Sequence, residues 1–213
     1  MLFHQIQVGG YDHNFSYIVG DEKSQKGMLI DPINADLLLP TIKKQGLKIL
    51  LLAATHGHFD HAGELAIFYK KLDPKPTLVI HSSLKEKWKI EGGNHLLIGH
   101  RQFIKVGGLN IEVIPTPGHE GGSICFLASG KLMTGDTLFI DGCGRTDLPG
   151  SDVHQLYNSL YKVIKTLPDE TRIYPGHDYG PSSSDSLGHQ KKTNPYLKCG
   201  SEEDFIQLRR PHE

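Results

Sequence analysis

The sequence has few cysteines, no long hydrophobic run and almost no net charge. Its three cysteines, Cys125, Cys143 and Cys199, are too few and too widely spaced for a disulfide framework or a CxxC zinc knuckle. The longest apolar run, Ile49 to Ala54, is far shorter than the roughly 20 residues of a membrane span. With 23 Lys+Arg against 24 Asp+Glu, the chain lacks the basic surface of a nucleic-acid-binding protein. We therefore expect a cytoplasmic protein that binds neither membranes nor nucleic acid.

Glycine and histidine are abundant, with 24 and 13 residues among 213. Glycine permits sharp loops, and histidine carries protons or binds metals near neutral pH. The remaining composition, 38% hydrophobic and 22% charged, is typical of a globular protein. We expect one domain over residues 1–213, with a short helical tail after about residue 185.

Strand and helix patterns alternate along the chain and predict an α/β fold. The predicted strands are Leu2–Val8, Asn14–Val19, Gly27–Ile30, Ile49–Ala54, Gln102–Val106, Asn110–Pro115, Ser123–Leu127, Lys131–Thr134 and Arg172–Tyr174. The predicted helices are Ala35–Gln45, interrupted by Pro40, then Ala62–Leu72 and Asp152–Leu167. This mixture favours two packed sheets with helices outside, and functional residues in the loops that follow the strands.

The segment after the strand Ile49–Ala54 carries the strongest functional pattern. His56, His58, Asp60 and His61 place four potential metal ligands within six residues. Random sequence of this composition would contain roughly 0.003 such matches. Extended backbone points His56 and His58 the same way, and the turn into a helix redirects Asp60 and His61. One loop can therefore serve two adjacent metal ions.

Three further candidates, His119, Asp136 and His177, each follow a glycine at the end of an apolar run. A single loop residue of this kind is more often a cap or turn residue, but the His56 to His61 cluster favours a ligand role. Imidazole suits zinc and iron, and a carboxylate can bridge two ions. The combined set of five histidines and two aspartates predicts a dinuclear site that attracts anions.

On these residues the chain resembles the metallo-β-lactamase-fold hydrolases, and among them the glyoxalase II-like branch. The resemblance implies a four-layer αββα sandwich of two mixed sheets flanked by helices. It implies two divalent ions, zinc first, with iron or manganese as alternatives. The implied ligands are His56, His58 and His119 on one ion, Asp60, His61 and His177 on the other, and Asp136 between them. Asp60 and Asp136 are the catalytic candidates of such a hydrolase.

Four residues are further candidates around the metals. Arg145, in a glycine-flanked loop, is expected to hold a substrate carboxylate through its guanidinium fork. Tyr179 and Asn194 are expected to line the same pocket. Asp31, which ends the third strand, is similar to the family's carboxylate that orients a ligand histidine.

The resemblance favours a hydrolase for small anionic thioesters of the S-acylglutathione type. Classical glyoxalase II enzymes bind glutathione through a longer C-terminal helical part, whereas 36 residues follow His177 here. The segments GCGRTD, residues 142–147, and PGHDY, residues 175–179, are equally similar to persulfide dioxygenases. They imply an alternative, in which one iron held by His56, His119 and Asp136 oxidises glutathione persulfide. A lesser alternative is a non-catalytic zinc-binding module. The oligomeric state is left open.

Overall fold

The computed structural model describes residues 1–9 and 12–209. The strands are β1 Leu2–Gly9, β2 Asn14–Asp21, β3 Lys26–Ile30, β4 Lys48–Ala53, β5 Thr77–His81, β6 His95–Ile98, β7 Gln102–Val106, β8 Leu109–Pro115, β9 Ile124–Ala128, β10 Lys131–Gly135, β11 Leu138–Phe139, β12 Gly142–Cys143, β13 Arg172–Pro175 and β14 Asp185–Ser186. The α-helices are α1 Ala35–Lys44, α2 Phe59–Ala62, α3 Leu65–Lys71, α4 Val153–Asn158, α5 Leu187–Thr193 and α6 Glu202–Arg209. No helix in these ranges combines the length and apolar character needed to cross a membrane.

The main strands form two mixed sheets of six strands each. The first has the order β1-β2-β3-β4-β5-β6, with antiparallel pairs up to β3 and parallel pairs from β3 to β6. The second has the order β14-β13-β10-β9-β8-β7, in which only β10 and β13 are parallel. The predicted opening meander and the predicted α/β class are confirmed.

The side chains of the sheets alternate between two apolar layers, because successive strand residues point to opposite faces. In β2, Tyr17 and Val19 face the second sheet, whereas Ile18 packs towards the helices α1 and α3. On the far side of the second sheet, Leu132 packs with α4 and with Phe205 of α6. The layers are therefore helix, sheet, sheet and helix, as the sequence predicts.

The helices differ in detail from the predicted ones. Pro40 lies inside α1 without ending it, because Ala35, Leu38 and Ile42 anchor the buried side of this helix. The predicted helix Ala62–Leu72 is instead two helices separated at Gly63 and Glu64. The predicted helix Asp152–Leu167 is regular only as α4, which Asp152 caps through its carboxylate, and continues as π and 3₁₀ turns. Strands β5 and β6 were not predicted.

The strands β4, β8, β10 and β13 all end at one edge of the two sheets. Backbone hydrogen bonds join the loops there: the amide of Ile124 donates to the Thr55 carbonyl at 2.8 Å, and the amide of Phe15 donates to the Gly176 carbonyl at 2.8 Å. Each bond connects the first sheet to the second. The segments after these four strands, including the short helix α2, are thereby held close together, and they carry all seven predicted ligands.

Candidate metal centre

Three histidines from both sheets form the first group of candidate ligands. His56 and His58 follow β4, and His119 follows β8. His58 Nδ1 lies 3.1 Å from His56 Nε2 and 3.0 Å from His119 Nε2. We call these residues the three-histidine group; their three nitrogens lie within 4.8 Å of one another.

Asp60, His61 and His177 form a second group, which we call the acidic group. The Nε2 atoms of His61 and His177 are 3.1 Å apart, and Asp60 Oδ2 lies 3.4 Å and 3.5 Å from them. Asp60 and His61 lie on α2, and His177 follows β13. The two histidines are buried and Asp60 is partly exposed.

Asp136, which follows β10, lies between the two groups. Its Oδ2 is 3.6 Å from His119 Nε2 and 3.3 Å from His177 Nε2, and its Oδ1 is 3.4 Å from His61 Nε2. Among the described residues Oδ1 has no hydrogen-bond partner although it is buried. A buried carboxylate oxygen without a partner is costly, and a metal cation held by the neighbouring histidines would satisfy it.

The spacing of the donor atoms fits metal coordination. Imidazole nitrogens at about 2.0–2.1 Å from a tetrahedral zinc ion lie about 3.3 Å apart. The nitrogen pairs at 3.0 and 3.1 Å and the nitrogen to oxygen distances of 3.3 to 3.6 Å are close to this value. Nitrogen and carboxylate donors of this kind suit zinc, iron and manganese. The residues present therefore fit the implied metals.

The protonation of the two groups differs in the absence of a metal. Burial lowers the pKa of His56 well below its usual value, and the nearby histidines add to this effect. Burial and His119 also lower the pKa of His58. Burial acts in the same direction on His61, but Asp136, Asp31 and Asp60 outweigh it and raise its pKa to about 9. His56 and His58 are thus more readily neutral than His61.

Polar groups behind the ligands fix the direction of three of the five histidine rings. His61 Nδ1 donates to Asp31 Oδ2 at 3.0 Å, and Asp31 in turn accepts from the amide and hydroxyl of Thr55 at 2.6 and 2.8 Å. His119 Nδ1 donates to the Arg145 carbonyl at 2.9 Å, and His177 Nδ1 donates to the Asp12 carbonyl at 2.6 Å. Each of these bonds leaves Nε2 with a lone pair for the metal.

Three supporting residues were missed by sequence reasoning. Asn14 Nδ2 donates to Asp60 Oδ2 at 3.0 Å. Glu120 Oε2 accepts from the amide of Gly57 at 2.5 Å, and Trp88 Nε1 donates to the carbonyl of the same residue at 3.2 Å. These two contacts clamp the peptide groups between His56 and His58. The only sequence signals were the adjacency of Glu120 to His119 and the single tryptophan of the chain.

Two glycines allow the chain to approach the ligands. A Cβ atom on Gly176 would lie 2.4 Å from Asp136 Oδ1, and one on Gly144 would lie 2.0 Å from the Asp136 carbonyl. Contacts this short exclude any side chain. The glycine that precedes His177 is therefore required by the geometry of the shared carboxylate.

A cavity of about 400 Å³ adjoins His119 and Asp136. Its other walls come from the loop over residues 139–145 and from Tyr179, Tyr196 and Arg209. The ring of Tyr179 stacks on His177, with ring centroids 4.7 Å apart and planes inclined by 2°, and its hydroxyl donates to the Asp12 carboxylate. Tyr179 thus lies on the cavity wall, where the sequence placed it.

Arg145 and Asn194 differ from their expected roles. Arg145 lines the cavity, but its Nε and Nη2 donate to the two carboxylate oxygens of Asp147 at 2.7 and 2.6 Å, so its fork is already occupied. Asn194 is fully buried; its amide donates to the carbonyls of Phe139 and Gly142 at 3.2 and 3.0 Å. This amide holds the loop from behind instead of contacting the cavity.

Cys143 also borders the cavity, as a protonated thiol. Burial raises its pKa to about 12, although the nearby guanidinium of Arg209 opposes this shift. A thiol with this pKa is a poor nucleophile at neutral pH. Cys143 is therefore a packing residue of the apolar cluster beside the cavity.

Comparison with known proteins places this geometry in a family. The model of the metallo-beta-lactamase superfamily matches residues 9–177, a range that includes all seven candidate ligands. The persulfide dioxygenase ETHE1 of Bos taurus is 31% identical over 93% of this chain and 79% of its own length. A probable polyketide biosynthesis zinc-dependent hydrolase, PksB of Bacillus subtilis, is 27% identical over 92% of this chain and 87% of its own length.

A solved structure extends the likeness to the whole fold. The crystal structure of ETHE1 from Myxococcus xanthus superposes with a TM-score of 0.88 at 32% identity, covering 100% of this chain and 93% of that one. These relatives do not single out the glyoxalase II-like branch that the sequence motifs favoured. That finer expectation is therefore corrected to the superfamily as a whole.

Proposed function

The chain belongs to the metallo-beta-lactamase superfamily, and we propose that it is an iron-dependent persulfide dioxygenase. The observation that carries the proposal is its likeness, over nearly the whole chain, to named persulfide dioxygenases. In the proposed reaction the outer sulfur of a persulfide is oxidised to sulfite: R–S–SH + O₂ + H₂O → R–SH + SO₃²⁻ + 2 H⁺. The sulfur loses four electrons, which dioxygen accepts.

His56, His119 and Asp136 would hold the iron. Two imidazoles and one carboxylate around open positions are the usual donor set of non-haem iron oxygenases. Iron bound by them supplies the redox chemistry that a reaction with dioxygen requires. The lowered pKa of His56 keeps its nitrogen unprotonated at neutral pH, and the Arg145 carbonyl holds His119 in the matching tautomer.

The loop over residues 139–145 connects the ligands to the substrate cavity. Its backbone supports His119 through Arg145, and its side chains form part of the cavity wall. The ring of Phe139 lies 5.9 Å from that of His177 and 5.2 Å from that of Tyr179. These aromatic rings place apolar surface on the cavity wall beside His177. An apolar wall suits a sulfur chain as the reacting group.

Oxygen uptake tests this proposal. Protein loaded with iron should consume dioxygen and form sulfite in a 1:1 ratio when glutathione persulfide is added, whereas zinc-loaded protein should consume none. Asp60→Ala is the matched variant, because it removes a ligand of the acidic group only. We expect this variant to keep oxygen uptake within about threefold. Absence of uptake by the iron-loaded wild type would refute the dioxygenase.

The acidic group supports a second candidate, the hydrolysis of a thioester. Asp60, His61 and His177 form a complete ligand set beside the first, and the chain is similar to a probable zinc-dependent hydrolase. In this case Asp60 would orient the attacking water. Zinc-loaded protein under argon should then release thiol from S-lactoylglutathione with kcat/KM above about 10⁴ M⁻¹s⁻¹. Asp60→Ala should abolish this release, which is the opposite of its expected effect on oxygen uptake.

A further inference from the structure

Within the part of the chain that the structure describes, the cavity beside the metal centre contains one basic side chain without a carboxylate partner. Apart from the ligands, its charged residues are Asp141, Arg145 and Arg209. Asp141 accepts hydrogen bonds from Gln190 and Thr193 at 3.2 and 3.1 Å. Arg145 is held by Asp147. Over residues 1–9 and 12–209, Arg209 forms no ion pair with a carboxylate.

Arg209 is nevertheless well positioned on the cavity wall. It lies at the end of α6, which Phe205 anchors in the core. Its guanidinium carbon is 5.4 Å from the centre of the Tyr196 ring, and Nη1 donates to the Tyr196 hydroxyl at 3.3 Å. Nε is buried and has no oxygen or nitrogen acceptor among the described residues, and the guanidinium lies against the thiol of Cys143. The aromatic ring thus fixes the guanidinium while leaving donor capacity unused.

A partly buried guanidinium with free donors recognises a carboxylate or a phosphate. We propose that Arg209 binds an anionic group of the substrate, and that this group is a carboxylate. This inference rests on the proposed function, because Arg209 lines the same cavity as the proposed iron ligands His119 and Asp136. The cavity of about 400 Å³ is the size of a small-molecule site and extends from His119 and Asp136 to Arg209. One such molecule can contact both ends.

The arrangement assigns to Arg209 the role that the sequence suggested for Arg145. Both arginines border the same cavity, but their partners differ. Binding of a carboxylate by Arg145 would have to break two charge-assisted hydrogen bonds with Asp147, whereas Arg209 has no carboxylate to give up among the described residues. Arg145→Met is therefore the matched control for Arg209→Met.

Calorimetric binding to zinc-loaded protein tests the inference without turnover. The probes are S-methylglutathione, which has free carboxylates, and its dimethyl ester, which has none. We expect the wild type and Arg145→Met to bind the free acid at least about tenfold more tightly than the ester. Arg209→Met should lose this preference, and Arg209→Lys should keep part of it. Thermal unfolding and zinc content of each variant show whether the fold is retained.

Three results would overturn the inference: no preference for the acid in the wild type, a preserved preference in Arg209→Met, or its loss in Arg145→Met alone. Failure of the proposed function is a separate observation. If iron-loaded protein shows no persulfide-dependent oxygen uptake but Arg209→Met still removes the acid preference, Arg209 is an anion-binding residue of another reaction.

Discussion

The three-histidine group and the acidic group lie side by side but differ in charge. His56 and His58 have lowered pKa values, because they are buried and have other histidines as neighbours. His61 has carboxylates on several sides, which raise its pKa to about 9. A metal ion therefore meets neutral imidazoles at His56 and His58, and must displace a proton from His61.

This difference in protonation helps to decide whether the protein binds one metal ion or two. Near neutral pH and at limiting metal, the first ion should occupy the three-histidine group together with Asp136. Occupancy of the acidic group should rise with pH, because His61 must lose its proton. A dioxygenase that uses one iron needs only His56, His119 and Asp136, whereas a hydrolase with two ions needs both groups.

Removing the shared carboxylate should have the largest effect. Asp136→Ala takes a candidate ligand from both groups and is expected to reduce activity more than 10³-fold and metal content below one ion per chain. Metal analysis and circular dichroism measure the two consequences. The fold should be largely retained, because Asp136 is not part of an apolar core layer.

An unfolded Asp136→Ala protein would contradict this expectation and favour a structural zinc site. The control is a chelator-treated wild type, whose thermal unfolding should resemble that of the variant.

Asp31→Asn should affect the metal affinities of the two groups differently. Asp31 accepts a hydrogen bond from His61 Nδ1. It is linked to the three-histidine group only indirectly, through the Thr55 hydroxyl, which also lies beside His56 Nδ1. Loss of such a supporting carboxylate typically weakens metal binding by about 10–100-fold. We expect this loss for the second ion only, measured as two separate binding steps in a competition titration. Equal weakening of both steps would show that the groups are not independent.

Glu120 provides the converse test, with a smaller effect. Glu120→Ala removes the acceptor for the Gly57 amide and should weaken the first binding step by about tenfold, leaving the second within about twofold. Glu120→Gln keeps an acceptor oxygen and should retain most of the affinity. If the two variants behave alike, the hydrogen bond to Gly57 does not position His56 and His58.

Much of this site could be predicted because each ligand follows a strand that was itself recognisable. The His56 to His61 motif follows the strand Ile49–Ala54 almost directly, so the spacing of these ligands alone indicated metal binding. His119, Asp136 and His177 were found because each follows a glycine at a strand end. The missed strands β5 and β6 have short or partly polar sequences, and only their neighbours in the sheet determine their conformation.

The supporting contacts could not be predicted, because they depend on pairs of residues far apart in the sequence. Asn14 is 46 residues from Asp60, and no local pattern distinguishes it from other strand residues. Asn194 was assigned to the cavity on residue type alone, whereas its amide holds the backbone of the loop behind it. Similarly, Arg145 was assigned to a substrate carboxylate, whereas its guanidinium already donates to the carboxylate of Asp147. Electrostatic partners, not residue types, decide these roles.

The smallest expected effect concerns the metal-free protein and tests the charge of the acidic group directly. The pKa of His61 rises from about 6.5 in the unfolded chain to about 9 in the folded one. Its protonated form therefore stabilises the fold fully below pH 6.5, and this contribution is lost as the pH rises through 9. The Tm difference between wild type and His61→Gln should accordingly fall by at least about 3 °C between pH 6.5 and 9.5.

Differential scanning calorimetry in the presence of a chelator measures this change. His154→Gln is the control, because this exposed histidine lies outside the metal centre and pairs with Glu202. Its Tm should stay parallel to that of the wild type over the same range. A Tm difference for His61→Gln that stays constant or grows with pH would mean that His61 is neutral in the metal-free fold. The two ligand groups would then load with similar pH dependence, and the electrostatic reason for filling the three-histidine group first would disappear.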